Sequence, residues 1–408
     1  MSMRTLRKCL TPALFAALIL MQSCGGGGGE STPGANAIAS TGSNVQPIAV
    51  DAGLGGSVNL AFTSVTLCAP GNSANCQTID HVLIDTGSSG LRILSSALGA
   101  SLSLPQQTDA GGNPVVECAR FADGYSWGPV KLADLIIAGE RANSLPIQVI
   151  GDPNFSAAPS RCSSTGPSKN SVQDLRANGI LGLGIFRQDC GNACALSGNP
   201  GLYYTCPAAG CQRAAMPVAM QLQNPVSMFA VNNNGLIIEL PSVPAAGAVS
   251  VSGSLVFGIG TQANNGIGSA TVIGVDPATG HFTTIYNGTN YSSSFIDSGS
   301  NAFFFADAGM PVCTDASAAG FYCPPATKNL SATIQGRNGR SASVDFSVAN
   351  AVTLVTNNPG FAALGNLGAP QLSLTSFDWG LPFFFGRKVY TAIEGASTPG
   401  GPGPYVAF

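Results

Sequence analysis

Residues 82–91 read VLIDTGSSGL, and residues 294–300 read SFIDSGS. In each stretch an apolar run ends in Asp, followed by a hydroxyl residue, a glycine and a serine. The copies stand about half the chain apart, as expected of a molecule built from two related halves. The apolar run buries a strand and leaves its Asp at the edge of a core. Glycine has no side chain, so its backbone N–H can come close to a carboxylate. The hydroxyls can hydrogen-bond that carboxylate or the opposite loop. If the two loops face each other, Asp85 and Asp297 meet. Two adjacent carboxylates do not both ionise easily and share a proton. Such a pair can activate a water as base and protonate a carbonyl oxygen as acid. A single Asp-x-Gly is ordinarily a turn. The repetition behind an apolar run is what points to chemistry.

Outward from these copies the chain reads as mainly β. Short apolar or alternating runs cover residues 58–67, 79–84, 130–137, 236–240, 254–257 and 270–275. Turn signals separate them, among them Asn113-Pro114, Asp276-Pro277 and Asn287-Gly288. Helical periodicity is scarce, with one short helix expected over 171–177. The expected organisation is a β lobe over 58–240 and a second over 241–408. Among 408 residues, 9% are charged and 45% apolar, which excludes a disordered chain or a nucleic-acid binder.

The N-terminus reads as an export signal. Arg4, Arg7 and Lys8 precede an apolar run over 10–20 that is short for a membrane span. Met21-Gln22-Ser23-Cys24 then leads into five glycines. A short apolar run, a small residue and Cys resemble a bacterial lipoprotein signal. Residues 1–23 are then the signal, Cys24 the lipidated N-terminus, and 24–57 a flexible tether to the membrane. Gly25 after that Cys favours the outer membrane. An ordinary secretory signal is the alternative. Without the three basic residues the formal charge falls from −3 to about −6, too weak a field to select a charged partner.

The chain has twelve Cys. Setting aside Cys9 and Cys24 leaves ten. Cys68 with Cys76, and Cys313 with Cys323, are close neighbours, and Cys118 and Cys162 are left to pair with each other. Cys190, Cys194, Cys206 and Cys211 form a cluster whose internal pairing stays open. Five disulfides in an oxidising compartment are expected, with a four-Cys zinc site in the cluster as the alternative.

Residues 82–91 and 294–300 resemble the two active-site loops of the pepsin-like aspartic proteases. Gly179-Ile180-Leu181-Gly182-Leu183-Gly184 resembles the segment that crosses behind the first loop. Residues 379–394, WGLPFFFGRKVYTAIE, resemble its C-terminal counterpart, with Gly380-Leu381-Pro382 where that family has two apolar residues and Gly. Phe121-Ala122-Asp123-Gly124 falls at the flap hairpin that closes over substrate. The whole also looks like a family of bacterial lipoproteins known only as a domain of unknown function. The first resemblance implies a two-lobed acid-protease fold with the site in the cleft between lobes. It makes Asp85 and Asp297 the catalytic carboxylates. Thr86 and Ser298 lock the loops together, Gly87 and Gly299 follow them, and Ser88 and Ser300 bond the outer carboxylate oxygens. Phe121 stands where the family has Tyr, and Arg92 where it has Trp. Tyr125 or Trp127 are candidates to take over at the flap.

Other chemistries find little support. His81 and His281 are the only histidines, and no GxSxG accompanies them. No phosphate-binding GxxxxGK loop occurs. Phe303-Phe304-Phe305 and Phe383-Phe384-Phe385 read as core, and Arg387 as a pairing group inside a sheet. The leading expectation is a monomeric endopeptidase acting on a peptide or protein, without cofactor or metal. The rival is a non-catalytic binding module of the same fold on the cell envelope.

Overall fold

The computed structural model describes residues 42–371 and 373–408. The expected signal, Cys24 and residues 24–41 of the expected tether lie outside the described residues. The protein is mainly β, with 42% strand against 11% helix. One sheet of fifteen strands takes segments from both ends of the chain, and a second of seven strands is built from residues 282–379. Among the described residues no helix is long and apolar enough to cross a membrane.

Two expected boundaries meet strands instead. Val45–Val50, inside the stretch read as tether, lies between Ala61–Ala69 and Val251–Phe257. Ile48 and Val50 are buried there, and Gln46 donates to the Ser64 carbonyl. Four of the strand's six residues are apolar, but Pro47 breaks the run and the flanks are rich in Gly and Ser. The boundary at 240 falls in a hairpin: Gly235–Leu240 pairs with Val251–Phe257, Leu236 opposite Phe257.

The two copies of the Asp motif sit in the same arrangement of strands. Asn72–Asp85 runs parallel to Gly179–Leu183, with Leu83 opposite Ile180 and Asp85 opposite Gly182. Ser89–Leu94 returns antiparallel on the other side of Gly179–Leu183, Leu91 opposite Leu181. It also runs parallel to Glu140–Ile150, Leu91 opposite Ile147. In the second copy Thr289–Ile296 runs parallel to Asp378–Trp379, with Phe295 opposite Asp378 and Ile296 opposite Trp379. Phe303–Phe304 returns antiparallel on the other side, Phe303 opposite Trp379, and runs parallel to Gly368–Ala369. A hairpin turn at Asn287-Gly288, with φ of 48° and 75°, feeds the strand that delivers Asp297. Both values lie in the left-handed region that Asn and Gly tolerate.

This register corrects the reading of the C-terminal segment. Asp378-Trp379-Gly380, not Gly380-Leu381-Pro382, occupies the place of Ile180-Leu181-Gly182. The reason is steric. A β-carbon on Gly182 would stand 2.8 Å from the Gly90 carbonyl oxygen, and one on Gly380 would stand 2.2 Å from that of Ala302. Only glycine lets the crossing strand pass so close. Pro382 sits in the helical turn Leu381–Phe384. Its missing N–H costs the loop nothing, because Leu381 N–H donates to the Ser300 carbonyl at 2.7 Å. Gly184 N–H does the same for Ser88.

Behind the second copy Trp379 packs among Phe303, Phe346, Phe377 and Phe383. Both Phe triplets contribute to the core, with Phe304 only half-buried. Arg387 donates to the Phe383 carbonyl and lies over its ring. Five disulfides join Cys68–Cys76, Cys118–Cys162, Cys190–Cys194, Cys206–Cys211 and Cys313–Cys323. The cluster of four therefore closes on itself as two short loops. Five disulfides fit an exported protein in an oxidising compartment.

Candidate active site

Asp85 ends its strand and is buried; Asp297, just beyond the strand Thr289–Ile296, is partly exposed. The loops brace each other directly. Thr86 N–H donates to Ser298 Oγ at 3.1 Å, and Ser298 N–H donates to Thr86 Oγ1 at 3.0 Å. Each hydroxyl then donates to a carbonyl of the opposite strand, Ser298 to Ile84 at 2.8 Å and Thr86 to Ile296 at 3.4 Å. Both residues are buried, so their four polar groups have no water to turn to.

Each carboxylate is held on two sides. Gly87 N–H donates to Asp85 Oδ1 at 2.8 Å and Gly299 N–H to Asp297 Oδ1 at 2.7 Å. Ser88 Oγ donates to Asp85 Oδ2, and Ser300 Oγ donates to Asp297 Oδ2 at 2.8 Å. The glycines also set how closely the pair approaches. A β-carbon on Gly87 would lie 2.7 Å from Asp297 Cγ, and one on Gly299 would lie 2.8 Å from Asp85 Oδ1. Burial, then the charge of Asp85 and a hydrogen bond with it, push the Asp297 carboxyl up to about 7, against the donors Gly299 and Ser300.

A cavity of about 340 Å³ lies beside the first loop, and neither carboxyl of the pair lines it. Its wall includes Thr86, Gly87 and Ser88 of the first loop, Phe121 at the tip of the hairpin, and Gly280 and His281 opposite. Burial lowers His281 below the usual imidazole range. Of the flap candidates, Phe121 lines this cavity. Tyr125 and Trp127 do not: they are buried in a separate cluster with Tyr204 and the Cys118–Cys162 bridge. Trp127 Nε1 donates to the Phe155 carbonyl. The alternation of the strand turns them to the face away from the cavity. Instead Arg92 lies over the Phe121 ring, 6.0 Å from its centroid, within the reach of a cation–π contact.

Arg92 anchors a group the sequence did not reveal. Its Nη2 is 2.6 Å from Glu117 Oε1 and 3.5 Å from Asp189 Oδ2. Tyr203 O–H reaches both oxygens of Asp189, and Leu222 N–H donates to Tyr203. Burial and the charge of Glu117 raise Asp189 well above the carboxylate range, while Glu117 and Asp189 outweigh burial and raise Arg92. One cation among two buried carboxyls joins the hairpin strand, the strand after the first loop and the segment around 189. These residues are scattered over a hundred positions, so no local signal marks them.

Asp378 was missed as well. It is buried, and burial followed by the charge of Asp297 raises it well above the carboxylate range. The signal that finds it is Gly380: aligning that glycine with Gly182 puts Asp378 in the place of Ile180. Among the described residues no group of three or more His, Cys, Asp or Glu is placed to hold a metal ion.

Fold and site together define a mainly β, disulfide-bridged protein with two facing carboxyl loops. The chain belongs to the family described as "Protein of unknown function (DUF3443)", whose model matches residues 40–408. No protein with a curated description matches it.

Proposed function

We propose that the protein is an aspartic endopeptidase of pepsin-like, two-lobed architecture, with Asp85 and Asp297 as its catalytic pair. The observation that carries this reading is the approach of the two loops, with Gly87 packed against the Asp297 carboxyl and Gly299 against that of Asp85; carboxyls so close share a proton. The ionised carboxyl takes a proton from a water held between the pair. That water's oxygen attacks the peptide carbonyl carbon while the protonated carboxyl gives its proton to the carbonyl oxygen. The tetrahedral intermediate then passes a proton to the nitrogen, and the C–N bond breaks. The cavity beside the first loop supplies a side-chain pocket, and an extended peptide runs between the loops and the hairpin tip at Phe121.

The rival reading, a peptide-binding module without turnover, draws on Arg92 and Phe121, which replace the hydrogen-bonding pair of the proteases that the loops resemble. Anchoring at the bacterial outer membrane through Cys24 belongs to the same proposal and fits the disulfides. Incubating a mixed peptide library with the wild type and with Asp85→Asn separates the readings. Cleavage by the wild type alone supports the protease; binding without cleavage by both supports the module.

A further inference from the structure

A second cavity, of about 710 Å³, shares no lining residue with the one beside the first loop. Much of its wall is apolar, with Val243, Phe303, Leu330, Phe346 and Phe385. Two polar side chains in that wall lack the partners their chemistry calls for. Arg387 opens the strand Arg387–Ala392 and is half-buried. A guanidinium carries five N–H donors. Among the described residues the one hydrogen bond Arg387 makes runs from Nη1 to the Phe383 carbonyl, at 2.7 Å. The Phe383 ring covers the guanidinium, with its centroid 4.7 Å from Cζ. No carboxylate among the described residues forms an ion pair with it, whereas the next residue, Lys388, has Glu239 at 2.8 Å. Burial pulls Arg387 below the ordinary guanidinium range, with the charge of Asp345 working against it. The second side chain is Asn366, 6% exposed. Its Nδ2 donates to the Ala245 carbonyl at 2.9 Å, and its Oδ1 has no partner.

We propose that this cavity is a second binding site, and that it takes a carboxylate carrying an apolar group. The unspent donors of Arg387 receive the carboxylate, the geometry for which a guanidinium fork is suited. The apolar wall receives the rest of the ligand. The cavity falls within the range of small-molecule sites, about 300–1,000 Å³. Asp345 is the one acidic residue in the wall, and it is exposed. One cation with one anion nearby favours a ligand of a single negative charge over a phosphate or a dicarboxylate. An N–H beside the carboxylate would find in Asn366 an acceptor without a partner, so the end of a peptide chain fits the wall as well as a simple organic acid does. Neither choice depends on what the Asp85–Asp297 pair does.

The test is isothermal titration calorimetry of the full chain with N-acetyl-leucine, N-acetyl-leucinamide and hexanoate, for wild type, Arg387→Gln and Asp345→Asn. The two acids should bind the wild type at least about tenfold more tightly than the amide, the worth of one charge-assisted hydrogen bond. N-acetyl-leucine ahead of hexanoate supports the site and identifies a peptide chain end; the reverse order supports it and identifies a simple organic acid. Arg387→Gln should lose about tenfold in affinity for both acids and nothing for the amide. Asp345→Asn, a change at an exposed position, should bind the acids about two- to threefold more tightly. Acids and amide bound alike, or no binding of either acid, overturns the proposal. So does an affinity that Arg387→Gln leaves intact, which places the ligand elsewhere. If Arg387→Gln does not fold, an affinity that Asp345→Asn leaves unchanged overturns it equally. Peptide cleavage is not read in this experiment, so a wild type that cleaves nothing counts against the protease reading alone.

Discussion

Thr86 and Ser298, 212 residues apart, each take the other's backbone N–H into a side-chain hydroxyl. This exchange orients the two Asp-bearing loops toward each other, and it stands wholly out of water. Removing one hydroxyl leaves a buried donor and a buried acceptor unpaired, at about 1–3 kcal/mol for each such group. Ser298→Ala should therefore destabilise the protein by roughly 2–4 kcal/mol in urea unfolding. Thr86→Ser, which keeps the hydroxyl, should cost less than half of that. Equal losses for the two variants would show that the exchange is not what holds the loops.

The glycines Gly87 and Gly299 matter through space rather than backbone conformation. A methyl group at either position would collide with the carboxyl across the site. Gly299→Ala should leave the chain folded, with near-wild-type far-UV circular dichroism. With the carboxyls forced apart, the raised Asp297 midpoint should fall toward the ordinary carboxylate range. Carboxyl NMR reads this directly.

Stability should fall as pH rises across neutrality. Asp297 and Asp378 both hold protons more tightly folded than unfolded. Their contribution is complete below about pH 4, where both states are protonated, and is lost as pH rises through the folded-state values. For Asp297 that window runs from about 4 to about 7. Asp378→Asn removes one of the two groups. Its stability relative to wild type should improve as pH rises from 5 to 8. Urea midpoints at the two pH values check this, and a gap between variants that is the same at both would contradict it.

The Arg92 group tests the hairpin. Arg92→Met leaves Glu117 and Asp189 buried without their cation, a loss of about 3–5 kcal/mol when one partner of such a pair is removed. Replacing Glu117 and Asp189 by Gln and Asn in the same chain should recover much of that loss. If the double replacement brings no recovery, the arginine acts through packing against Phe121 and not through charge.

The pair was legible in the sequence because everything that makes it is local: an apolar strand, Asp, hydroxyl, Gly, Ser within seven residues, twice. The cysteines were legible for the same reason, since four of the five bridges close loops of ten residues or fewer. Asp378 was not. In FDWGLPFFF an isolated acid reads as a turn, and only strand pairing with residues 295 and 304 shows that it lies behind Asp297. Arg92, Glu117 and Asp189 meet only through tertiary structure, and the strand Val45–Val50 is interrupted by Pro47 and set in linker-like flanks.

The central claim is that Asp85 and Asp297 hydrolyse peptide bonds as one unit with one shared proton. Cleavage of a peptide library by wild type, Asp85→Asn and Asp297→Asn, followed from acid to alkaline pH, tests it most directly. The account predicts a bell-shaped wild-type profile centred on the acid side of neutral, with its alkaline limb near the raised Asp297 value. Both variants should be inactive at every pH, because asparagine cannot share the proton. Full cleavage by Asp297→Asn, a flat profile, or a wild type that binds peptides and cleaves none would contradict it.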